Sequence, residues 1–75
     1  MSVMRQLTAF IEREDDLFVA LCPELDIASQ GTSVEDARRN LVEAIELFFE
    51  AADKTEVARR LSNEVYVTRL EVAVG

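Results

Sequence analysis

The stretch over residues 22–49, CPELDIASQGTSVEDARRNLVEAIELFF, constrains the fold more than any other part of this chain. Val34, Ala37, Leu41, Ile45, Phe48 and Ala52 recur at intervals of three and four. That spacing builds one apolar face on a helix, and it is the only long 3.6-residue periodicity present. Leu47 and Phe49 widen the stripe, and a wide stripe is what a helix lying on a sheet requires. Thr32 is followed three residues later by Glu35, which fits a capping box in which the hydroxyl and the carboxylate satisfy each other's backbone amides. Gly31 stands where the chain must turn sharply out of a preceding strand. A helix is therefore predicted over residues 33–52, and the rest of the chain has to supply the sheet beneath it.

Residues 5–12 alternate, with Leu7, Ala9 and Ile11 on one face and Gln6, Thr8, Phe10 and Glu12 on the other, which predicts a first strand. Arg13, Glu14, Asp15 and Asp16 form a polar quartet of the right length for a hairpin connection. Residues 17–22 are apolar at both parities, so this second strand is expected to be central and covered on two sides. The helix covers one side; something else must cover the other. Pro23 cannot donate to a ladder and ends the strand. Residues 24–26 then make a bend and residues 27–30 a short third strand. Beyond the long helix, residues 55–61 suit about two further helical turns. Residues 65–74 are the most β-prone stretch, and a last strand beside one of the first three is expected there. Its apolar pattern changes phase near Arg69, which a bulge or two-sided burial would explain. The predicted class is α+β: one domain over residues 1–75, with a small, mainly antiparallel sheet in the order β-β-β-α-(short α)-β and one long helix on one face. Such a sheet has open edges and an open face, a template for strand addition from another chain.

Seventy-five residues build only a thin core. With one cysteine and no histidine, neither an intramolecular disulfide nor a histidine-ligated metal staple is expected. Assembly into a homo-oligomer is the expected substitute. Fifteen acidic against eight basic residues give a net charge of −7. Phosphate binding draws on clustered Lys and Arg, and here the basic residues come at most in the pairs Arg38–Arg39 and Arg59–Arg60, so direct DNA binding is not expected. An acidic surface suits a basic protein partner, or it simply keeps a small protein in solution. No run reaches the roughly 18 apolar residues of a membrane span, and the first residues lack the apolar core of a leader. A cytoplasmic location is the corresponding expectation.

Carboxylates are the only abundant chemical group, so metal-dependent hydrolysis is the enzymatic reading to test. Glu12, Asp15, Asp16 and Asp26 fall near strand ends or in loops, and Glu35 and Asp36 open the helix, where its dipole favours negative charge. None stands in mid-strand beside a partner, as a two-metal centre needs. Ser29, Ser33 and Ser62 have no histidine to activate them, and Cys22 has no general base. Gly31 and Gly75 cannot make a phosphate loop. No enzymatic activity and no cofactor are expected.

The order Cys22-Pro23-Glu24-Leu25, then Ser29-Gln30-Gly31-Thr32, then Glu35-Asp36-Ala37 and Asn40-Leu41-Val42-Glu43-Ala44 resembles the HicB-like antitoxin family. The match runs over roughly residues 7–50. The resemblance implies a partial ribonuclease H-like fold without its nuclease centre. It also implies a partner, a small basic HicA-like toxin that cleaves mRNA and is masked by contact, and assembly through the sheet and last strand. Many members add a helix-turn-helix or ribbon-helix-helix that binds operator DNA, and after Asn63 this chain shows one strand instead. The acidic hairpin residues Glu12, Glu14, Asp15 and Asp16 are the candidate contact to a basic partner, and they equally suit a solvated turn. Val65, Tyr66, Val67, Leu70 and Val72 are the candidates for self-association, a role compatible with membership of the sheet. A stand-alone homo-oligomer without a toxin is the alternative.

Overall fold

Three strands form an antiparallel meander in the computed structural model, which describes residues 4–75; Met1–Val3, part of the stretch read for a leader, lie outside those residues. β1 (Phe10–Glu14), β2 (Leu17–Cys22) and β3 (Ile27–Gly31) pair in the order β1-β2-β3, so β2 is central as expected. Two helices follow, α1 (Val34–Ala51) and α2 (Lys54–Leu61). The architecture is α+β, with the long helix laid across one face of the sheet.

β1 is displaced from the predicted strand at both ends. Glu14 pairs with Leu17 and Arg13 with Phe18, so only Asp15 and Asp16 remain for the turn. Asp15 takes the left-handed region at φ 54, which aspartate tolerates. At the other end, the register that sets Phe10 opposite Leu21 brings Thr8 opposite Pro23, which has no N–H to give. The ladder stops there. Thr8 instead donates its backbone N–H, at 3.1 Å, and its hydroxyl, at 2.6 Å, to the Glu24 carboxylate.

The capping box sits one residue later than the sequence pattern suggested. Ser33 is the N-cap, its Oγ accepting the Asp36 N–H at 3.0 Å, and the Asp36 carboxylate reaches back to the Thr32 N–H at 3.0 Å. These bonds from Thr32, with help from the Arg39 guanidinium, hold the Asp36 carboxyl below its ordinary range. Arg39 pairs with Asp36 rather than with Glu43. Gly31 is needed for proximity and not for a sharp turn: a Cβ there lies 2.5 Å from the Ala37 nitrogen and 2.7 Å from the Asp36 carbonyl carbon.

Ala20, Cys22, Leu25, Ala37 and Leu41 form the buried core, flanked by half-buried Leu7, Ile11, Phe18, Ile27, Ile45, Phe48 and Leu61. Leu25 lies in the bend between β2 and β3 and is nonetheless fully buried. The neighbouring Asp26, at φ 55, turns the chain immediately after it. On α1 the buried stripe is narrower than the sequence pattern: Val34, Leu47 and Phe49 are exposed. α2 is capped by Asp53, whose carboxylate accepts the Glu56 N–H at 2.8 Å. Its C-terminal turn is tied down by Arg60, which donates to the Leu25 carbonyl and lies 5.2 Å from the Phe48 ring centre.

The expected last strand is absent from the protomer. Residues 65–74 pair with none of the three strands, and their side chains are mostly exposed. A strand-forming sequence realises its preference only when a ladder partner and a covered face are in reach. Here α2 carries the chain to the β2–β3 bend, and the segment leaves the body from there. Neither the bulge nor the two-sided burial invoked for its change of phase occurs.

Candidate protein-interaction surface

Antiparallel pairing fixes which side chains share each face of the sheet. Phe18, Ala20 and Cys22 of β2 point toward α1, with Ile11 and Arg13 beside them on β1. The opposite face therefore carries Phe10, Glu12 and Glu14 from β1, Leu17, Val19 and Leu21 from β2, and Ala28 and Gln30 from β3. No described element lies over it. Phe10 and Leu17 are exposed, and an open groove of about 460 Å³ is lined by Phe10, Ile11, Glu12, Glu14, Val19 and Leu21. The second cover that the two-sided β2 requires is not supplied by the described residues.

The four acidic residues singled out in the sequence divide into two sets. Glu12 and Glu14 border the apolar groove, with Glu12 directly opposite Val19 and Glu14 opposite Leu17. Asp15 and Asp16 form the turn at the tip of the same hairpin. All four are exposed. Arg13 points to the other face, with its guanidinium 5.5 Å from the Phe18 ring centre and donating to the Asp15 carbonyl at 3.2 Å. The cation that interrupts the acidic run is thus turned away from the acidic border. Phe10, Leu17, Val19 and Leu21 were not among the candidate contact residues. The apolar character of both faces of residues 17–22 was the signal that pointed to them.

Val65, Tyr66, Val67, Leu70 and Val72 lie in the unpaired segment, and none of them lines this groove. A second groove, about 620 Å³, runs between residues 4–9 and α1, lined by Leu7, Leu41, Val42, Ile45 and Phe49, among others. Arg5 and Arg38 stand at its margins.

Partly buried polar contacts gather at the end of the sheet near the bend. Cys22 is fully buried, and its thiol donates to Glu24 at 3.5 Å. Burial pushes the thiol pKa up, reinforced by the neighbouring carboxylate, so the nucleophilic thiolate is disfavoured. For Glu24, burial opposes the charge, and the hydrogen bonds from Thr8 and Cys22 outweigh it, holding the carboxyl below its usual range. Glu56 is held low by the Arg59 and Arg60 guanidinium groups. Glu24 ties the segment before β1 to the bend through Thr8, and Glu56 is paired within α2. Among the described residues, no three His, Cys, Asp or Glu side chains converge as a metal site, and no helix is long and apolar enough to cross a membrane.

The chain is similar to a UPF0150 protein of Helicobacter pylori (strain J99 / ATCC 700824), at 34% identity over 68 residues, covering 89% of this chain and 94% of that protein. No family model matches the chain. No solved structure matches it either.

Proposed function

The chain belongs to the UPF0150 protein family, and on that premise we propose that it is a HicB-like antitoxin that masks a small, basic, mRNA-cleaving toxin by direct protein contact. The observation that carries this reading is the open sheet face: an apolar centre of Phe10, Leu17, Val19 and Leu21 bordered by Glu12 and Glu14, with Asp15 and Asp16 at its tip. Protein interfaces have this plan, an apolar centre that excludes water inside a polar rim. The carboxylate rim suits a partner whose RNA-binding surface is rich in Lys and Arg. Opposite potentials raise the encounter rate and select the partner, and contact with the apolar centre lengthens the residence time. The net charge of −7 adds to the steering. Masking an RNA-binding surface requires no catalytic group, cofactor or DNA contact of this chain's own, and it takes place in the cytoplasm.

The test is to combine the chain with a small basic mRNA-cleaving protein encoded beside it and measure binding and RNA cleavage together. Complex formation with loss of cleavage is expected. Glu12→Lys with Glu14→Lys should weaken binding by about tenfold or more, and Val19→Asp should weaken it further. If these three substitutions leave affinity and inhibition unchanged, this face is not the contact.

A second reading is a stand-alone homo-oligomer without a toxin. Val65, Tyr66, Val67, Leu70 and Val72 pair with none of the described strands, which suits self-association as a dimer or tetramer in either reading. Sedimentation of the chain alone, and a search for a bound toxin after purification, separate the two.

A further inference from the structure

Residues 65–74 carry a pattern that specifies its own partner. Tyr66, Leu70, Val72 and Val74 are 82, 81, 74 and 94% exposed. The radius of gyration is 14.6 Å, against roughly 11 Å for a compact chain of this length, and the longest dimension is 50 Å. The segment thus projects from the body with its backbone donors and acceptors unpaired. In an extended conformation, Tyr66, Thr68, Leu70, Val72 and Val74 lie on one face, and Val67, Arg69, Glu71 and Ala73 on the other.

We propose that residues 66–74 pair antiparallel with the same residues of a second copy about a two-fold axis at Leu70, deepening the self-association reading above, on which this rests. In that register Arg69 lies opposite Glu71 of the second copy, and Glu71 opposite its Arg69, giving two cross-strand ion pairs from one sequence. Tyr66 faces Val74, Thr68 faces Val72, and Val67 faces Ala73. Aromatic against β-branched, and cation against anion, are the favourable cross-strand combinations. An axis at position 69 sets Arg against Arg; an axis at 71 sets Glu against Glu. Parallel, in-register pairing produces both repulsions. An axis between residues opposes the apolar face of one strand to the charged face of the other, since directly opposed residues share a face. Leu70 is therefore the one centre in this stretch that joins opposite charges and keeps the apolar stripe intact. The pairing is isologous, as a closed dimer requires.

Sedimentation equilibrium of the full chain at micromolar concentration is the test. Wild type should dimerise, and Arg69→Glu alone or Glu71→Arg alone should each raise the dimer dissociation constant by about tenfold. An equimolar mixture of the two variants should restore assembly, because every cross-strand pair is then opposite in charge. The double variant R69E/E71R should restore it as well, because each cross-strand pair is then again opposite in charge. Oxidative cross-linking adds a geometric readout: Leu70→Cys should link to itself, and Thr68→Cys should link to Val72→Cys faster than Val72→Cys links to itself. Leu70→Asp, which sets two carboxylates face to face on the axis, separates the two levels of the argument. If it leaves assembly unchanged, or if wild type is a monomer throughout, the self-association reading falls and the register with it. If Leu70→Asp abolishes assembly but R69E/E71R fails to recover it, the register alone is wrong.

Discussion

Replacing Gly31 with alanine tests the account of how α1 is seated. The new Cβ lies 2.5 Å from the Ala37 nitrogen, 2.7 Å from the Asp36 carbonyl carbon and 2.9 Å from the Asp36 Cβ. Ordinary contact begins at 3.4 Å, so the closest pair is short by 3.4 − 2.5 = 0.9 Å. Two of the three obstructing atoms are backbone. They belong to a turn held by the Ser33 hydroxyl on Asp36, by the Ala37 N–H to the Ser33 carbonyl at 2.9 Å, and by the Asp36 carboxylate on Thr32. A rotamer change cannot relieve the clash, so the helix start must lift from β3 and loosen Ala37 and Leu41 against Ala20. Overpacking costs about 1–3 kcal/mol, and a backbone obstacle places this case near the upper end. A chain of this size has roughly 4–11 kcal/mol in total. The melting temperature should therefore fall by roughly 10–20 °C. Circular dichroism during heating and urea titration measures it, at one fixed protein concentration because assembly contributes to apparent stability. Gln30→Ala, with its side chain on the open face, is the control and should change little. A loss under about 0.5 kcal/mol for Gly31→Ala would refute the proximity argument.

Substitutions at two further positions probe the ties at the bend. Glu24→Gln should cost about 1 kcal/mol at neutral pH by weakening the Thr8 anchor. It should also flatten part of the acid limb. The folded carboxyl titrates below its ordinary value near ~4.3, so its contribution is present above that value and lost as pH falls through the folded one. Urea midpoints from pH 7 to pH 3 decide this, and an acid limb identical to wild type contradicts it. Arg60→Ala should remove about 1–2 kcal/mol by stripping the Leu25 carbonyl of its donor and Phe48 of its cation. Arg60→Lys should recover only part, since an ammonium cannot stack as a planar guanidinium does. Amide exchange should rise in α2 with α1 little affected; equal loss in both helices would show that α2 is not held in this way.

How far each feature was legible follows from how local its cause is. β2 and β3 came through because Pro23 and the apolar, β-prone run of residues 17–22 act within a few bonds. The existence of α1 came through for the same reason. Its cap did not, because Thr32 with Glu35 and Ser33 with Asp36 are equivalent patterns one residue apart, and the register against β3 chooses between them. The start of β1 depended on what Pro23, fifteen residues away, brings opposite Thr8. Leu25 looked like part of a bend and is core, because α2 returns Arg60 to its carbonyl. The acidic hairpin was legible as charge. That Glu12 and Glu14 share a face with Phe10, Leu17, Val19 and Leu21, while Arg13 faces away, required the pairing register.

By itself, the sequence determined the class of this protein: one amphipathic helix, a short antiparallel meander and an acidic surface. Those properties are set by periodicity, turn residues and composition, which are local or additive. Only the tertiary structure decided which apolar residues remain uncovered. Burial is a property of what lies opposite, and for residues 65–74 and for the far face of β2 nothing among the described residues does. That difference leaves a strand-forming segment unpaired and a sheet face open, and both proposals rest on it.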